Sequence, residues 1–344
     1  MIKIQEISQI KDVKFAFESI VFLKDCKLYV DNREVFMCSE NVERIVVWND
    51  KLLLLNDLNK VEYVLDNSYE LIPNQNFKEL RIRKSIDKIL YFYKKTTPRT
   101  YGFLENEKDF QTDLPYSNIH VSQGLVFDSS YSTVERIDYN YKVVWKHVLS
   151  HLGELEGRTE NQMDGFQKFI GVAHNNLWVL AKSGSLIAIN TETGVLTKTF
   201  EWEDEYVDGK RYRPNPTDAF IYEEDNNIYS LGAYFIKINT KTLQIESNNL
   251  LVDELHNGDK IEIRSSSVQG QNISFIASFY GTSWVKIIGL FSIAEKKIIW
   301  VHELFGVDEN KFIPSFNTPQ LTENKLYILD NEKTLHIFEK DEHA

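Results

Sequence analysis

Cysteine is nearly missing from this chain. Cys26 and Cys38 are the two among 344 residues, and a scaffold built on disulfides carries more. The pair could meet across a hairpin, but two reduced thiols are the expected state. Proline (7) and glycine (15) are too sparse for a collagen-like or low-complexity chain. No apolar run approaches the roughly 20 residues of a membrane helix. The N-terminal stretch MIKIQEISQIKDVKF carries charges throughout, unlike the continuous apolar core of a signal peptide. Cytoplasmic residence is therefore expected, or periplasmic residence where an export signal has been removed. Positive charge is also short: 39 Lys and Arg against 51 Asp and Glu leave a formal net charge of -12. Such a surface repels nucleic-acid phosphate and membrane anions and attracts basic proteins. Long amphipathic helical patterns are absent as well.

What remains is a β-rich vocabulary. Apolar residues make up 42% of the chain and aromatics 13%, including 17 Tyr and 21 Phe. Residues 176–200, NLWVLAKSGSLIAINTETGVLTKTF, read as three short strands joined by two tight turns. Gly184 and Gly194 fall where a hairpin turn needs positive φ. Fainter copies of the unit recur, each an Asn, Asp, Lys or Gly followed by a short apolar strand. Their central residues are Leu28, Leu52, Leu90, Leu125, Leu177, Ile228, Ile273 and Leu326. The separations run from 24 (Leu28 to Leu52) to 53 (Ile273 to Leu326), and most suit one four-stranded unit per repeat.

The fold expected is all-β: a single-domain β-propeller over residues 1–344, built of four-stranded antiparallel blades. The C-terminal repeat stops after three strands, so residues 2–20 are expected to supply its fourth and close the ring, because an open sheet edge invites association. Seven blades follow if the short first repeat is absorbed into that closure, and eight if it stands alone as a reduced blade. Three stretches break the rhythm: residues 150–167, 201–216 and 251–260, the last expected to hold a helical turn.

The unit GSLIAINTETG at residues 184–194 resembles the repeat of pyrroloquinoline-quinone-type (PQQ-like) β-propellers. Residues 139–145 and 294–300, each ending in Trp, are similar to the close of that repeat, and residues 317–327 to its opening. The resemblance implies a propeller fold in a superfamily of quinone-dependent dehydrogenases and noncatalytic scaffolds. In the enzymes it implies a quinone stacked on tryptophan, a calcium site and an adjacent cysteine pair. Cys26 and Cys38 are not adjacent, and no Asp/Asn-rich calcium loop is present. The resemblance therefore points to a noncatalytic member.

Other chemistry is equally thin. His147 and His151 have H-x-x-x-H spacing, but Val148 stands where a zincin needs Glu. His120, His174 and His302 read as structural. No Cys-x-x-Cys, G-x-S-x-G elbow or phosphate loop occurs. The carboxylates of Glu203, Asp204, Glu205 and Asp208, and of Glu223, Glu224 and Asp225, read as solvated loops rather than a glycosidase pair. Residues 78–99 hold eight basic side chains against two acidic, with Tyr91, Phe92 and Tyr93 interleaved; alternation on a blade face explains them. No catalytic, metal or cofactor residue is assigned and no cofactor is expected. The best contact candidates are Trp202, Glu203, Asp204, Glu205, Tyr206, Arg211, Tyr212 and Arg213, with Arg158 a further member, because Trp, Tyr and Arg dominate interface hot spots. The function expected is noncatalytic protein binding by a monomer, in a narrower form an acidic inhibitor or immunity protein masking a basic toxin. The alternatives are a carbohydrate-active or quinone-dependent enzyme and a glycan or small-ligand sensor.

Overall fold

The computed structural model describes residues 1–340 except 87–88, 95–99, 106–107, 113–118, 141, 154–163, 208, 223, 252–254, 257–258, 280, 307–309 and 316. The described chain is antiparallel β-structure throughout, with two short 3-10 turns at Gln75–Phe77 and Leu149–Leu152. It divides into two compact units, the first residues 1–116 with 319–344 and the second residues 117–318.

The second unit holds four blades. Blade 4 runs His120–Ser122, Leu125–Ser129, Thr133–Ile137 and Val143–Val148. Blade 5 runs Phe166–Ala173, Asn176–Ala181, Leu186–Asn190 and Leu196–Phe200. Blade 6 runs Phe220–Ile221, Ile228–Leu231, Tyr234–Asn239 and Gln244–Leu250. Blade 7 runs Asp259–Gln269, Asn272–Phe279, Val285–Ser292 and Lys297–Glu303. A short strand, Leu255–His256, folds back on Asp259 and Lys260 and makes blade 7 five-stranded. Among the described residues of 251–260, where a helical turn was expected, the structure shows this short antiparallel pair; residues 252–254 and 257–258 lie outside the described residues.

Blade 5 shows how the sequence builds these sheets. All of Asn176–Ala181 is buried, yet its side chains alternate. Leu177, Val179 and Ala181 pack with Phe127, Val134 and Trp145 of blade 4. Trp178 and Leu180 pack with Ile228 and Ile236 of blade 6. Period-two geometry sends successive side chains to opposite faces. A strand apolar at every position is thus one with a neighbouring blade on each face, and each such side chain contributes about 1.5–3 kcal/mol.

The turn at residues 190–194 is the joint between blades 4 and 5. Asn190 Oδ1 accepts the backbone N–H groups of Glu192 and Thr193. Trp145 Nε1 donates to Thr191 O at 2.8 Å, and an Arg136 guanidinium nitrogen reaches the same carbonyl at 2.9 Å. The indole lies against Gly194, where a Cβ would meet the ring at 2.7 Å; φ there is +70°. Only glycine satisfies both conditions without strain. The same Asx device closes turns at Asp66, Asp138, Asn239 and Asp330, each accepting two backbone N–H groups.

The first unit holds the other four blades. Blade 1 is Ile10–Ala16, Ser19–Lys24, Lys27–Val30 and Arg33–Met37. Blade 2 is Val42–Trp48, Lys51–Asn56, Val61–Leu65 and Leu71–Ile72. Blade 3 is Arg81–Ile86, Ile89–Lys94, Thr100–Glu105 and Lys108–Thr112. Blade 8 combines Gln320–Leu321, Lys325–Leu329 and Leu335–Glu339 with the N-terminal strand Ile2–Ile7, which pairs antiparallel with Leu335–Glu339. The expected completion of the last blade by an N-terminal strand is what the structure shows.

The blade count is corrected from seven to eight. Ile2–Ile7 alone completes blade 8, and Ile10–Met37 forms a full sheet of its own. The short separation between Leu28 and Leu52 had a simple cause. Leu28 lies on the third strand of its blade and Leu52 on the second strand of the next, so their separation understates the repeat.

Cys26, in the turn before Lys27–Val30, and Cys38, just after Arg33–Met37, are free thiols joined by a backbone bond from Cys38 N to Cys26 O at 2.8 Å. Burial, then the neighbouring Cys26, pushes the Cys38 thiol up.

Candidate functional site

In blades 4 to 7, the turn between second and third strands and the connection to the next blade leave each sheet at the same end, as antiparallel meanders require. The richest connection at that end joins blades 5 and 6. It folds as a hairpin, Glu205–Val207 against Lys210–Tyr212, with Tyr206 opposite Arg211. Trp202 is 5% exposed. It packs with Phe200, Ala219 and Tyr234, and its Nε1 donates to Gly184 O at 2.9 Å. Trp202 therefore anchors the connection and leaves little of its own surface for contact. Tyr212 lies half-buried against the same cluster.

The hairpin's other candidates divide by role. Tyr206 is 68% exposed at the outer edge. Arg211 Nε meets Asp204 Oδ2 at 2.8 Å. Glu205 Oε2 accepts the Tyr234 hydroxyl at 3.1 Å, and burial followed by that bond pushes the Tyr234 phenol above its usual range. Glu203 is exposed. Arg213 turns the other way and lines a cleft. Arg158, with Glu154, Glu156 and Glu160, lies outside the described residues.

Two further aromatic sites emerge at the same end of the blades. Trp284, before the third strand of blade 7, is 53% exposed and stands edge-on to Phe312 with ring centroids 4.6 Å apart. The segment carrying Phe312 is fixed by Ile313 N to Val285 O and Leu304 N to Lys286 O, each 2.8 Å. Tyr131 of blade 4 is exposed beneath Lys182 of blade 5, whose Nζ lies 4.4 Å from the ring centroid.

The cleft beside the hairpin has a volume of about 340 Å³. Its walls include Arg213, Asn215 and Thr217 from the connection and Glu262 and Arg264 from blade 7; Ser230 and Tyr234 of blade 6 complete the polar lining. Asp218 forms part of the floor. Its carboxylate accepts from Ser230 Oγ, from Leu231 N at 3.2 Å and from Ser266 Oγ at 2.7 Å. Arg264 donates to Glu262 Oε2 at 2.8 Å, Thr282 O at 3.0 Å and Ser278 Oγ at 3.0 Å. Behind Asp218, Lys168 Nζ donates to Ala219 O at 3.1 Å; burial pulls its ammonium down, against the opposing attraction of Asp218. Sequence reading missed this cleft because its walls come from three separate segments, from Arg213 to Arg264, that carry no local motif.

The remaining candidate chemistry has structural partners. His147 Nδ1 lies 3.0 Å from Gly194 O, His120 stacks on Phe169 and His302 on Trp300. No group of three metal-ligating side chains forms among the described residues. Asp225 Oδ2 accepts from the Tyr229 hydroxyl at 2.6 Å and from Asn227 Nδ2 at 2.9 Å. Tyr91 and Phe92 of the basic stretch are core residues and offer no stacking face. No helix among the described residues is long and apolar enough to cross a membrane.

No family model and no curated protein matches the chain. Solved structures do. The C-terminal WD40 domain of Sif2 superposes with a TM-score of 0.58 at 10% identity, covering 98% of each chain. The chain is a β-propeller. Sqt1 of Saccharomyces cerevisiae gives 0.53 at 12% identity over 98% of this chain and 99% of that one. The computationally designed protein Ika8 gives 0.51 at 11% identity over 98% of both. At such identities the likeness of this propeller to the three is one of fold.

Proposed function

We propose that this chain is a noncatalytic, protein-binding propeller of the PQQ-like kind, working as one domain over residues 1–344 and as a cytoplasmic monomer. Its contact surface is the blade end that carries the hairpin. The observation behind this reading is the pairing of exposed aromatics with packed supports: Tyr206 on a hairpin anchored by buried Trp202, and Trp284 braced by half-buried Phe312. A large aromatic held rigid before contact loses little entropy on binding and desolvates a large area.

In its narrower form the reading makes the partner basic. A chain with net charge -12 attracts a cationic protein by long-range steering. An inhibitor or immunity protein that masks a secreted nuclease toxin has this requirement. The test is affinity capture at low and moderate salt with wild type and with Tyr206→Ala/Trp284→Ala. The expected result is a salt-sensitive basic protein retained by wild type and lost by the double variant, whose melting midpoint stays near wild type. A partner that the double variant keeps, or no salt-sensitive partner, overturns the proposal.

A further inference from the structure

The cleft between the hairpin connection and blade 7 brings two guanidinium groups, Arg213 and Arg264, into one recess of an acidic protein. Two carboxylates, Asp218 and Glu262, share its lining. Both acids are committed. Asp218 accepts from two hydroxyls and one backbone N–H. Glu262 is held by Arg264. At about 340 Å³ the cleft is at the small end of ligand sites. Guanidinium groups match a planar carboxylate better than any other donor, because their N–H groups present a fixed fork. The Asn215, Thr217 and Tyr234 side chains lining the same space supply neutral polar groups for the rest of a small polar molecule.

We propose that this cleft binds a small carboxylate anion, with Arg213 and Arg264 as its recognition groups. The carboxylate comes either from a free organic acid or from the C-terminus of a peptide. This site can be filled whether or not the aromatic rim engages a protein, so the two readings fail separately.

Calorimetric titration and thermal shift on the full chain test it. The probes are succinate, N-acetyl-trialanine with a free C-terminus, its C-terminal amide and glucose, each against sodium chloride at matched ionic strength. The expected result is a saturable rise in melting midpoint with succinate or the free-acid peptide and none with the amide or glucose. A response to succinate assigns a free acid, and a response to the peptide alone assigns a chain terminus. Arg213→Gln is expected to weaken binding about tenfold or more, the loss of a charge-assisted bond. Glu262→Gln removes the acid that competes for Arg264 and is expected to tighten binding, an effect no merely structural role of Glu262 would produce. The proposal is overturned if neither carboxylate acts beyond the salt control, if glucose acts equally, or if Glu262→Gln binds no better than wild type. That last variant decides the matter even where Arg213→Gln fails to fold.

Discussion

At the scale of single residues, the connection between blades 5 and 6 separates support from contact. Trp202 and Tyr206 are four positions apart, but one is buried against Phe200 and Tyr234 while the other stands in solvent. Trp202→Ala is expected to cost about 3–5 kcal/mol, the range for emptying a packed tryptophan site, and Tyr206→Ala within about 0.5 kcal/mol. Urea denaturation of both variants checks the contrast. Gly194 gives a second test. Its left-handed backbone and the Trp145 ring at 2.7 Å from a built Cβ leave no room for a methyl group. Gly194→Ala is expected to lose about 1–3 kcal/mol, and a denaturation midpoint equal to wild type would remove Trp145 docking as a joint. The sequence could show that both residues were aromatic or glycine, but not which side of the backbone each aromatic took. A Trp and a Tyr in a polar loop carry the same pattern in either role.

At the scale of elements, the strands were legible wherever turn chemistry and alternation agreed. Residues 176–200 satisfy both, and their strands fall where expected. Blade 1 was not legible as a whole blade. Its outer strands, Lys27–Val30 and Arg33–Met37, are short, and the latter exposes Val35 and Met37, so apolar residues do not mark its buried face. The cleft had no signature at all, because Arg213, Ser230 and Arg264 converge only when blades 6 and 7 are formed.

The N-terminal strand yields an element-scale prediction. His336, buried in blade 8, lies with Nε2 2.9 Å from Asp330 Oδ2 and Nδ1 3.1 Å from Glu6 Oε1 of Ile2–Ile7. An imidazolium can donate to both carboxylates at once. Lys3 also pairs with Glu6. Burial works to raise the Asp330 carboxyl, but the His336 bond and the Thr334 and Glu332 N–H groups outweigh it and hold the group below its ordinary value. The Lys3 bond, against a smaller desolvation effect, holds Glu6 low as well. Carboxyls with lowered folded values add stability that is present above their unfolded range near pH 4 and lost as pH falls through the lowered values. Hydrogen exchange is therefore expected to accelerate at Ile2–Ile7 below about pH 4, before it does at Asn176–Ala181. Uniform acceleration along the chain would remove the clasp from the account. His336→Leu is expected to abolish that local acid response by loosening the strand already at neutral pH.

At the scale of the whole molecule, the excess of acidic residues acts on rates more than on depth of binding. If the partner is basic, raising ionic strength is expected to slow association by about tenfold or more while dissociation changes little. Stopped-flow measurement of the two rate constants decides this, and a salt effect confined to dissociation would point to a contact without steering. The acidic composition was plain from the sequence. Its consequence for mechanism was not, because composition averages over a recess that brings Arg213 and Arg264 together.

The pairing of Ile2–Ile7 with Leu335–Glu339 sets an order of events during synthesis. Ile2–Ile7 is made before every other strand of its blade and waits for its neighbour, which is translated roughly 17 to 70 seconds later at ordinary elongation rates. Through that interval the nascent chain carries one strand with no sheet to join, and a ribosome stalled before Leu335 strands a protein whose other blades are already encoded but whose eighth cannot be finished.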